Sequence, residues 1–383
     1  MGEPPILLDV SRLIWRQWTG RLPTGIDRVC LAYLRHYQSR AVAVVQFRGF
    51  RRILSRDDSR RLFELLLAAA RHFRPRLIAV LARAALGAPT ASKGAIYLNI
   101  GHTGLDFPAL PKWIEAHRLK PVFLIHDLIP ITHPEYCRPG EDRRHRKRMS
   151  QALRSACGVI ANSQATEHDL REFAGGEGLP MPPCLVALLG VDTSPAPAPA
   201  NPNSAPPYFV MVGTIEARKN HVMILEIWSQ LVAQLGESAP RLVIVGQRGW
   251  EAEAATAILD DLGPLAGHVQ ELGRCDDATM ERLIAGARGM LLPSVVEGFG
   301  LPLVEALQQG VPVIASNLPV FREIAGDIPT CIDPADRRQW IDTIIEYSND
   351  GLERRRQLAA LKGFQATSWR HHFDLADRFL ETV

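Results

Sequence analysis

A proline-rich segment divides the chain into two halves. Residues 194–207 read Ser-Pro-Ala-Pro-Ala-Pro-Ala-Asn-Pro-Asn-Ser-Ala-Pro-Pro. Proline lacks the backbone N–H that helices and sheets use, so this composition predicts a semi-rigid, solvated connector. The chain has 383 residues, which is longer than one hydrophobic core usually serves. We therefore predict two domains joined by this connector.

Short apolar runs alternate with longer, helix-compatible stretches on both sides of the connector. Before it, the runs 42–47, 95–100, 122–125 and 158–161 alternate with stretches such as 143–156 and 164–173; after it, the runs 208–212, 241–245, 289–292 and 311–315 alternate with 223–235, 278–287 and 302–309. This alternation is typical of parallel sheets covered by helices. We predict an α/β protein with two doubly wound, Rossmann-like domains that bind ligands at the carboxyl ends of their strands, facing a central cleft.

The formal charge of +3 hides an uneven distribution between the two halves. Residues 1–195 carry +11 and the remainder carries −8, and much of the excess lies within 48–61 and 143–148. A basic surface of this kind can hold anionic lipid headgroups, but a solvated helix face explains each cluster equally well. The same alternatives apply to the basic stretch 63–86, which is either packed on the first sheet or lies on a membrane. We expect no nucleic-acid partner, because no interleaved aromatic residues accompany these clusters.

The cysteines and the apolar runs restrict the compartment. The six cysteines are scattered without a close pair, so neither a zinc site nor a redox dithiol is predicted. No apolar run approaches the roughly 18 residues that span a bilayer, and the start lacks the basic segment and cleavage site of a signal peptide. We expect a cytoplasmic protein, in peripheral contact with the inner face of the membrane if the basic clusters bind lipid.

Two adjacent cations follow a predicted strand and a glycine turn. Arg218 and Lys219 lie in the sequence GTIEARKN of residues 213–220, directly after the strand 209–212 and before a predicted helix. A strand end of this type opens toward the ligand site of a doubly wound domain. The two side chains are therefore candidates for binding an anionic ligand.

A second loop in the same half carries a pair of glutamates. Glu297 lies in PSVVEGFGLP (293–302), directly after the predicted strand 289–292, and Glu305 follows on a predicted helix. Gly298 and Gly300 allow the backbone to approach a ligand closely. Pro302 suits the first turn of a helix whose unpaired N–H groups face an anion or sugar hydroxyls.

The combined motifs resemble glycosyltransferase family 4, whose retaining enzymes have the two-domain GT-B fold; the likeness is to bacterial mannosyl- and rhamnosyltransferases, and it covers most of residues 208–330. The resemblance implies that Arg218 and Lys219 clamp the donor diphosphate. It also implies that Glu297 contacts the transferred sugar and Glu305 binds the ribose of the nucleotide. The last stretch, 364–383, resembles the family's final helix that crosses back to the first domain, and we expect His371 and His372 on it to face solvent. The predicted domains are 1–193, the linker 194–207, 208–363 and this final helix.

The remaining donor-side candidates surround these motifs. The strand-end glycine turn and the glutamate loop contribute Gly213, Thr214, Gly298, Phe299, Gly300 and Leu301. Arg248 and Arg274 are further candidates, and each lies in a loop after an earlier predicted strand of this half. Nothing in the spacing of these loops distinguishes guanine, uracil or thymine.

The first half carries a histidine at a strand end. His126 lies in FLIHDLIP over residues 123–130. This sequence looks like the His-Asp-Leu segment of bacterial family members, in which the histidine contacts the donor sugar. Asp127 has three interpretations, because it can bind acceptor, orient His126 or cap the following turn.

Two loops complete the candidate site of the first half. The sequence TGIDR over residues 24–28 resembles the family's glycine loop, so Gly25 is expected near the diphosphate. The loop departs from the family by carrying Asp27 where a second glycine is usual, and Asp27 and Arg28 become acceptor-side candidates. His102 and Thr103, in the glycine-flanked turn after the predicted strand 95–100, are further candidates for binding the acceptor.

The resemblance implies a retaining glycosyltransferase that moves a sugar from a nucleotide-sugar donor to a saccharide or lipid-linked saccharide acceptor in cell-surface polysaccharide or lipopolysaccharide synthesis. GDP-mannose is the first choice of donor, with dTDP-rhamnose and UDP-sugars left open. No Asp-x-Asp or metal-ligand spacing occurs in the sequence, so no metal and no cofactor is expected. Two alternatives remain: a non-catalytic scaffold or saccharide-binding subunit with the same fold, and a sugar-nucleotide epimerase.

Overall fold

The computed structural model describes residues 5–21, 23–68, 72–86, 92–191, 207–273 and 275–383. The predicted connector up to residue 206 and the candidate Arg274 lie outside these described residues. Within them, no helix combines the length and the apolar character that crossing a bilayer requires.

The chain forms two compact units. The first comprises Met1–Ile131, Asp142–Leu189 and Trp369–Val383, and the second comprises Thr132–Glu141 and Gly190–Ser368, in each case for the described residues. These bounds differ from the predicted ones at 132–141, which groups with the second unit. There the guanidinium of Arg138 lies 5.2 Å from the centre of the Trp250 ring, a stacking contact that no local sequence pattern indicates.

The first unit is built on a seven-stranded sheet in the order β3-β2-β1-β4-β5-β6-β7. Its strands are β1 (Ile6–Asp9), β2 (Ala41–Phe47), β3 (Phe50–Ile53), β4 (Ile96–Asn99), β5 (Lys120–Ile125), β6 (Gly158–Ala161) and β7 (Cys184–Val186). All neighbours are parallel except β2 and β3, which form a hairpin. Arg48 and Gly49 connect them with φ of 47° and 88°, as a two-residue turn with both residues left-handed requires.

Helices cover this sheet. They are α1 (Ser11–Thr19), α2 (Gly25–Tyr37), α3 (Arg56–Leu67), α4 (Phe73–Leu86), α5 (Leu110–Ala116), α6 (Ile129–Thr132), α7 (Glu141–Ser155) and α8 (Gln164–Gly176). The strands β1, β4 and β6 are buried along their whole length, as expected for strands covered on both faces.

The second unit has a six-stranded sheet of parallel strands in the order β10-β9-β8-β11-β12-β13. Its strands are β8 (Tyr208–Val212), β9 (Arg241–Val245), β10 (Val269–Leu272), β11 (Gly289–Leu292), β12 (Val313–Ser316) and β13 (Thr330–Ile332). Its helices are α9 (His221–Leu235), α10 (Glu253–Asp260), α11 (Asp277–Ala285), α12 (Leu301–Gln308), α13 (Pro319–Ala325), α14 (Arg337–Ser348) and α15 (Leu352–Leu361). Trp228, Trp340 and Tyr347 are fully buried in its core. The predicted α/β class is confirmed, and both sheets are parallel except at the β2–β3 hairpin.

The last helix, α16 (Trp369–Thr382), belongs to the first unit. His372 on this helix is fully buried, and its two ring nitrogens contact the Tyr33 hydroxyl at 2.8 Å and the Leu188 carbonyl at 3.0 Å. Burial lowers the pKa of His372 to about 4, so the ring is neutral at pH 7. The expectation that His372 faces solvent is wrong, because the buried hydroxyl of Tyr33 gives it a polar partner; His371 beside it is exposed.

Candidate functional site

The two predicted donor loops of the second unit follow neighbouring strands. The loop 213–220 begins where β8 ends, and the loop 293–300 begins where β11 ends. Since β8 and β11 are adjacent and parallel, their carboxyl ends lie at the same edge of the sheet. The fold therefore brings together candidates that are about 80 positions apart in sequence.

Glycines allow the first of these loops to pack against the loop after β9. The Ile215 N–H donates to the Gln247 carbonyl at 2.8 Å, and the Gly249 N–H donates to the Ile215 carbonyl at 2.9 Å. A Cβ on Gly246 would lie only 1.8 Å from the Gly213 carbonyl oxygen, so no larger residue fits without moving backbone. This pairing holds Gly213 and Thr214 in place at the end of β8.

The predicted clamp cations converge on the predicted sugar-contacting glutamate. Arg218 Nη1 lies 2.8 Å from Glu297 Oε2, and Lys219 Nζ bonds to Glu297 Oε1. Ser294 Oγ donates to the same Oε1 at 2.8 Å. The backbone joins the two loops as well, since the Val295 N–H donates to the Arg218 carbonyl at 2.8 Å. The structure thus places Arg218, Lys219 and Glu297 in a single hydrogen-bonded cluster.

The electrostatics of this cluster keep Glu297 ionised. Its side chain is only 8% exposed, and this burial opposes ionisation. The cations of Lys219 and Arg218 outweigh the burial and lower the pKa of Glu297 to about 2. The carboxylate is therefore negative throughout the physiological pH range.

Glu216 is a buried member of the cluster that the sequence reasoning missed. Its Oε1 lies 2.6 Å from Arg218 Nε, so Arg218 is held between Glu216 on one side and Glu297 on the other. Burial raises the pKa of Glu216 above its ordinary value, although Arg218 and Lys219 oppose the rise. Its position two residues before Arg218, in a loop that must turn, was the available signal. Ser294 was likewise missed, and its only signal was its place three residues before Glu297.

The rest of the glutamate loop leads into α12. Gly300 has φ of 110°, and a Cβ there would lie 2.6 Å from the Phe321 ring, so glycine is required on both counts. Phe299 and Leu301 are buried, which leaves the backbone of this turn, rather than those two side chains, to face a ligand. Glu305 lies within α12, half-buried, one turn after the helix begins.

Arg248 is engaged elsewhere in the second unit. Its guanidinium donates to both Glu271 oxygens, at 2.9 and 2.7 Å, and to Asp260 Oδ1 at 2.7 Å. These bonds raise its pKa. A role of Arg248 in donor binding would require it to leave or share these carboxylates.

Two histidines of the first unit lie at the carboxyl ends of β4 and β5. His126 Nε2 lies 2.8 Å from the Ile100 carbonyl, and His102 Nε2 lies 2.9 Å from the Leu124 carbonyl. A carbonyl can only accept, so Nε2 carries the proton on both rings. Burial lowers the pKa of His126 to about 4 and that of His102 well below its ordinary value. Both rings are therefore neutral at pH 7, and Nδ1 of each is an acceptor.

The loops beside these histidines are fixed by hydrogen bonds. The Thr103 carbonyl accepts from Asn99 Nδ2 at 2.9 Å and from Gln46 Nε2 at 2.8 Å. Asp127 Oδ1 accepts from the Ile129 N–H at 3.2 Å, which is the capping contact among the three interpretations of this residue. His102 itself has φ of 57°, an uncommon backbone conformation for a residue with a side chain.

Asp27 caps α2 at the place where the resemblance implies a second glycine. Asp27 Oδ2 accepts from the Thr24 N–H at 2.7 Å and from Thr24 Oγ1 at 2.7 Å, and it is buried. Arg12 and Arg16 contact the same carboxylate at 2.7 and 2.8 Å. Gly25 is exposed at the first position of the helix, and Arg28 is exposed one turn later. A ligand approaching this helix start meets an internal carboxylate and two arginines, and neither Arg12 nor Arg16 was identified from the sequence.

Comparisons with known proteins agree with the motif interpretation. Residues 194–360 match the family model described as glycosyl transferases group 1. The chain is 30% identical over 252 residues to the serotype-specific mannosyltransferase WbdA of Escherichia coli, covering 61% of this chain and 31% of that protein. It is 29% identical over 238 residues to the O-antigen chain mannosyltransferase B of Escherichia coli, covering 59% and 61%. The chain thus spans about a third of the first relative and three fifths of the second.

Solved structures share the fold over the full length. HepE of Anabaena, in complex with UDP-glucose, superposes with a TM-score of 0.69 at 18% identity and covers 100% of both chains. Sucrose-phosphate synthase from Thermosynechococcus elongatus superposes with a TM-score of 0.65 at 16% identity over 99% of each chain. At such identities the likeness establishes the fold and not the activity. The fold is therefore that of the GT-B glycosyltransferases, and the resemblance to these proteins, bacterial mannosyltransferases among them, is confirmed.

Proposed function

We propose that the protein is a retaining glycosyltransferase of family 4 that transfers a sugar from a nucleotide-sugar donor to a saccharide or lipid-linked saccharide acceptor. The observation that carries this proposal is the contact of Arg218 and Lys219 with Glu297 at the shared edge of β8 and β11. Two cations at this position can hold a diphosphate, and a carboxylate between them can contact sugar hydroxyls. We assign the setting to cell-surface polysaccharide or lipopolysaccharide synthesis.

The clamp has the charge distribution that diphosphate transfer needs. Without ligand, the cations Arg218 and Lys219 are balanced by the carboxylates Glu216 and Glu297. A donor diphosphate brings negative charge that competes with Glu297 for the cations, and Glu297 then becomes available to a sugar hydroxyl. As the bond to the sugar breaks, charge grows on the leaving phosphate, where fixed cations stabilise it most.

The reaction proceeds on one face of the sugar in this proposal. The donor phosphate oxygen accepts the proton of the acceptor hydroxyl while Arg218 and Lys219 hold the leaving diphosphate, so retention needs no separate protein base. His126, whose Nδ1 is an acceptor, would bind a hydroxyl of the donor sugar rather than donate a proton. The two cations supply the charge stabilisation that a metal ion supplies in other transferases, and metal-independent transfer is part of the proposal.

The transferred sugar is proposed to be mannose, with GDP-mannose as donor. The support is that the curated relatives are named as mannosyltransferases, two of them in O-antigen synthesis. A lipid-linked acceptor would place the protein at the inner face of the cytoplasmic membrane, in peripheral contact through its basic first half.

The test is donor turnover by the purified protein. GDP-mannose, dTDP-rhamnose and UDP-glucose are each supplied with a saccharide acceptor, with and without EDTA, and release of the nucleoside diphosphate is measured. We expect release with GDP-mannose that EDTA leaves unchanged, and an α-linked product by proton NMR from the α-linked donor. Arg218→Ala should lower the rate by about 100- to 1000-fold, as for loss of one oxyanion donor. Arg338→Gln, at a surface arginine of α14 in the same unit, is the matched control and should keep the wild-type rate.

The alternatives give different results in the same assay. A scaffold or saccharide-binding subunit would bind saccharide and release no diphosphate from any donor. An epimerase would change the donor sugar without needing an acceptor. A product with inverted configuration would contradict the retaining part of the proposal alone.

A further inference from the structure

The first unit carries two exposed tryptophans on one short helix. Trp15 and Trp18 of α1 are 47% and 39% exposed, and they lie three positions apart, on one face of the helix. Leu13, on the opposite face of α1, is buried against the unit. Large aromatic rings left in water cost free energy unless another surface covers them.

The start of α4 extends this face. Arg74 Nε donates to the Trp18 carbonyl at 3.0 Å, which joins the N-terminal turn of α4 to the last turn of α1. Ile78, four residues after Arg74 and on the same face of α4, is 56% exposed. The two helices thus adjoin at Trp18 and Arg74, and Ile78 is exposed one turn further along α4.

Each tryptophan is stacked with an arginine. The guanidinium carbon of Arg21 lies 5.1 Å from the centre of the Trp15 ring, and that of Arg74 lies 5.5 Å from the centre of the Trp18 ring. These distances are within the range of cation–π contacts. The surface therefore offers aromatic rings and positive charge at the same places.

Carboxylates are absent from the sequence around both helices. No Asp or Glu occurs between Asp9 and Asp27, or between Glu64 and Asp106. Arg12 and Arg16 both pair with Asp27, and Arg83 pairs with Asp58. Arg21 and Arg74, the arginines beside the tryptophans, have no carboxylate partner within the described residues.

We propose that this tryptophan–arginine face, formed by Trp15, Trp18, Arg21, Arg74 and Ile78, docks on the surface of an anionic phospholipid membrane. Tryptophan concentrates at the level of the lipid headgroups, where its ring is covered and its N–H stays hydrated. Arginines beside it bind lipid phosphates, and amphipathic helices with this combination lie in the plane of the interface. The helices need not enter the bilayer beyond the headgroups.

Charge favours a lipid surface over a saccharide chain as the occupant. Aromatic rings alone would suit a neutral glycan, but the two arginines beside them, which pair with no carboxylate of the described residues, match a dense array of phosphates better. The inference rests on the proposed function in one respect, since a membrane is where a lipid-linked acceptor is found. Vesicle binding needs neither donor nor acceptor, so its result is independent of the transfer assay.

The experiment is co-sedimentation of the full chain with vesicles. The vesicles consist of phosphatidylcholine alone, or of phosphatidylcholine mixed with phosphatidylglycerol, at low and at high salt. We expect binding to the anionic vesicles at low salt, weakened by high salt because screening reduces the attraction. Arg21→Gln/Arg74→Gln should weaken binding about 30-fold, from about 1 kcal/mol for each arginine. Trp15→Ser/Trp18→Ser should weaken it by about tenfold or more, and high salt should not remove the difference.

Control variants in the second unit distinguish binding through this face from non-specific binding to vesicles. Leu352→Ser removes an exposed apolar side chain and Arg338→Gln removes an exposed arginine, and both should bind vesicles like the wild type. Thermal unfolding shows whether each variant is folded. The two double variants change different residues, so if one does not fold, the other still tests the proposal. Equal binding of wild type and both folded double variants would overturn the proposal. Wild-type binding that is independent of lipid charge and of salt would also overturn the proposal. So would a change in tryptophan fluorescence that soluble polysaccharide causes and neither kind of vesicle causes.

Discussion

The guanidinium of Arg218 bridges two carboxylates, with Nε at 2.6 Å from Glu216 and Nη1 at 2.8 Å from Glu297. Glu216 therefore fixes the orientation from which Arg218 reaches Glu297. Because a diphosphate must displace Glu297 in the proposed mechanism, we assign the two carboxylates different roles: Glu216 positions Arg218 and Glu297 contacts the ligand.

Replacing Glu216 by glutamine should lower kcat while KM for the donor changes little. The amide keeps the shape of the side chain but loses the charge that holds Arg218 Nε. We expect a loss of about tenfold in kcat, corresponding to about 1.4 kcal/mol of transition-state stabilisation. Steady-state kinetics measure it, and Glu216→Asp should recover part of the rate. An unchanged kcat in a folded Glu216→Gln protein would remove Glu216 from this role.

The stability contributed by Glu297 should depend on pH in a defined window. Its folded-state pKa of about 2 is depressed below an ordinary value near 4.5, so its contribution is present above pH 4.5 and is lost as pH falls toward 2. The shift corresponds to roughly 3 kcal/mol. Urea unfolding of wild type and Glu297→Gln should show the largest difference in unfolding free energy near neutral pH. That difference should shrink below pH 4.5, and a constant difference down to pH 3 would contradict the ion-pair account.

His126 should remain neutral, with its proton on Nε2, over the range in which the protein is active. The Ile100 carbonyl requires this tautomer, and burial lowers the pKa to about 4. Nitrogen chemical shifts of the labelled ring should show a protonated Nε2 and an acceptor Nδ1 from pH 8 to about pH 5. A proton on Nδ1, or titration near pH 6.5, would require a different role for this side chain.

Asp27 should matter more to stability than to acceptor affinity. Its buried carboxylate caps α2 and pairs with Arg12 and Arg16. Removing one partner of a buried pair costs about 3 to 5 kcal/mol, so Asp27→Asn should lower the free energy of unfolding by about this amount. Denaturant titration tests this, with Asp57→Asn on the exposed start of α3 as the control. A stable Asp27→Asn protein with a raised KM for acceptor would instead support direct acceptor contact.

The sequence predicted the site best where it is built from strand ends. Strand–glycine–cation and strand–glutamate–glycine patterns predicted that Arg218, Lys219 and Glu297 are candidates, and the parallel pairing of β8 with β11 explains why they meet. The carboxyl ends of parallel strands share an edge whatever lies between them in sequence, so local patterns were sufficient here.

Contacts set by tertiary packing could not be predicted from local patterns. In the sequence, Glu216 cannot be distinguished from any other loop carboxylate, because its contact with Arg218 depends on how the loop folds. The prediction that His372 faces solvent was wrong because its partner Tyr33 is distant in sequence. Asp27 was identified as a departure from the family, but its bonds to Arg12 and Arg16 depend on how α1 turns back over α2. The roles of Arg248, Glu305 and the other donor and acceptor candidates stay predictions.

The most direct test of the account is the binding of nucleoside diphosphate to the clamp. Isothermal titration calorimetry with GDP, in the presence of EDTA, should show binding to wild type and to Arg338→Gln. Binding to a folded Arg218→Ala/Lys219→Ala protein should be weaker by at least about 30-fold, since two charge-assisted contacts of about 1 kcal/mol or more are lost. The titration is repeated with UDP and dTDP. If one of these binds instead of GDP, the proposed donor is revised, while the roles of Arg218 and Lys219 in binding diphosphate stand. Equal affinity of the wild type and the double variant for a diphosphate that binds would contradict the central claim.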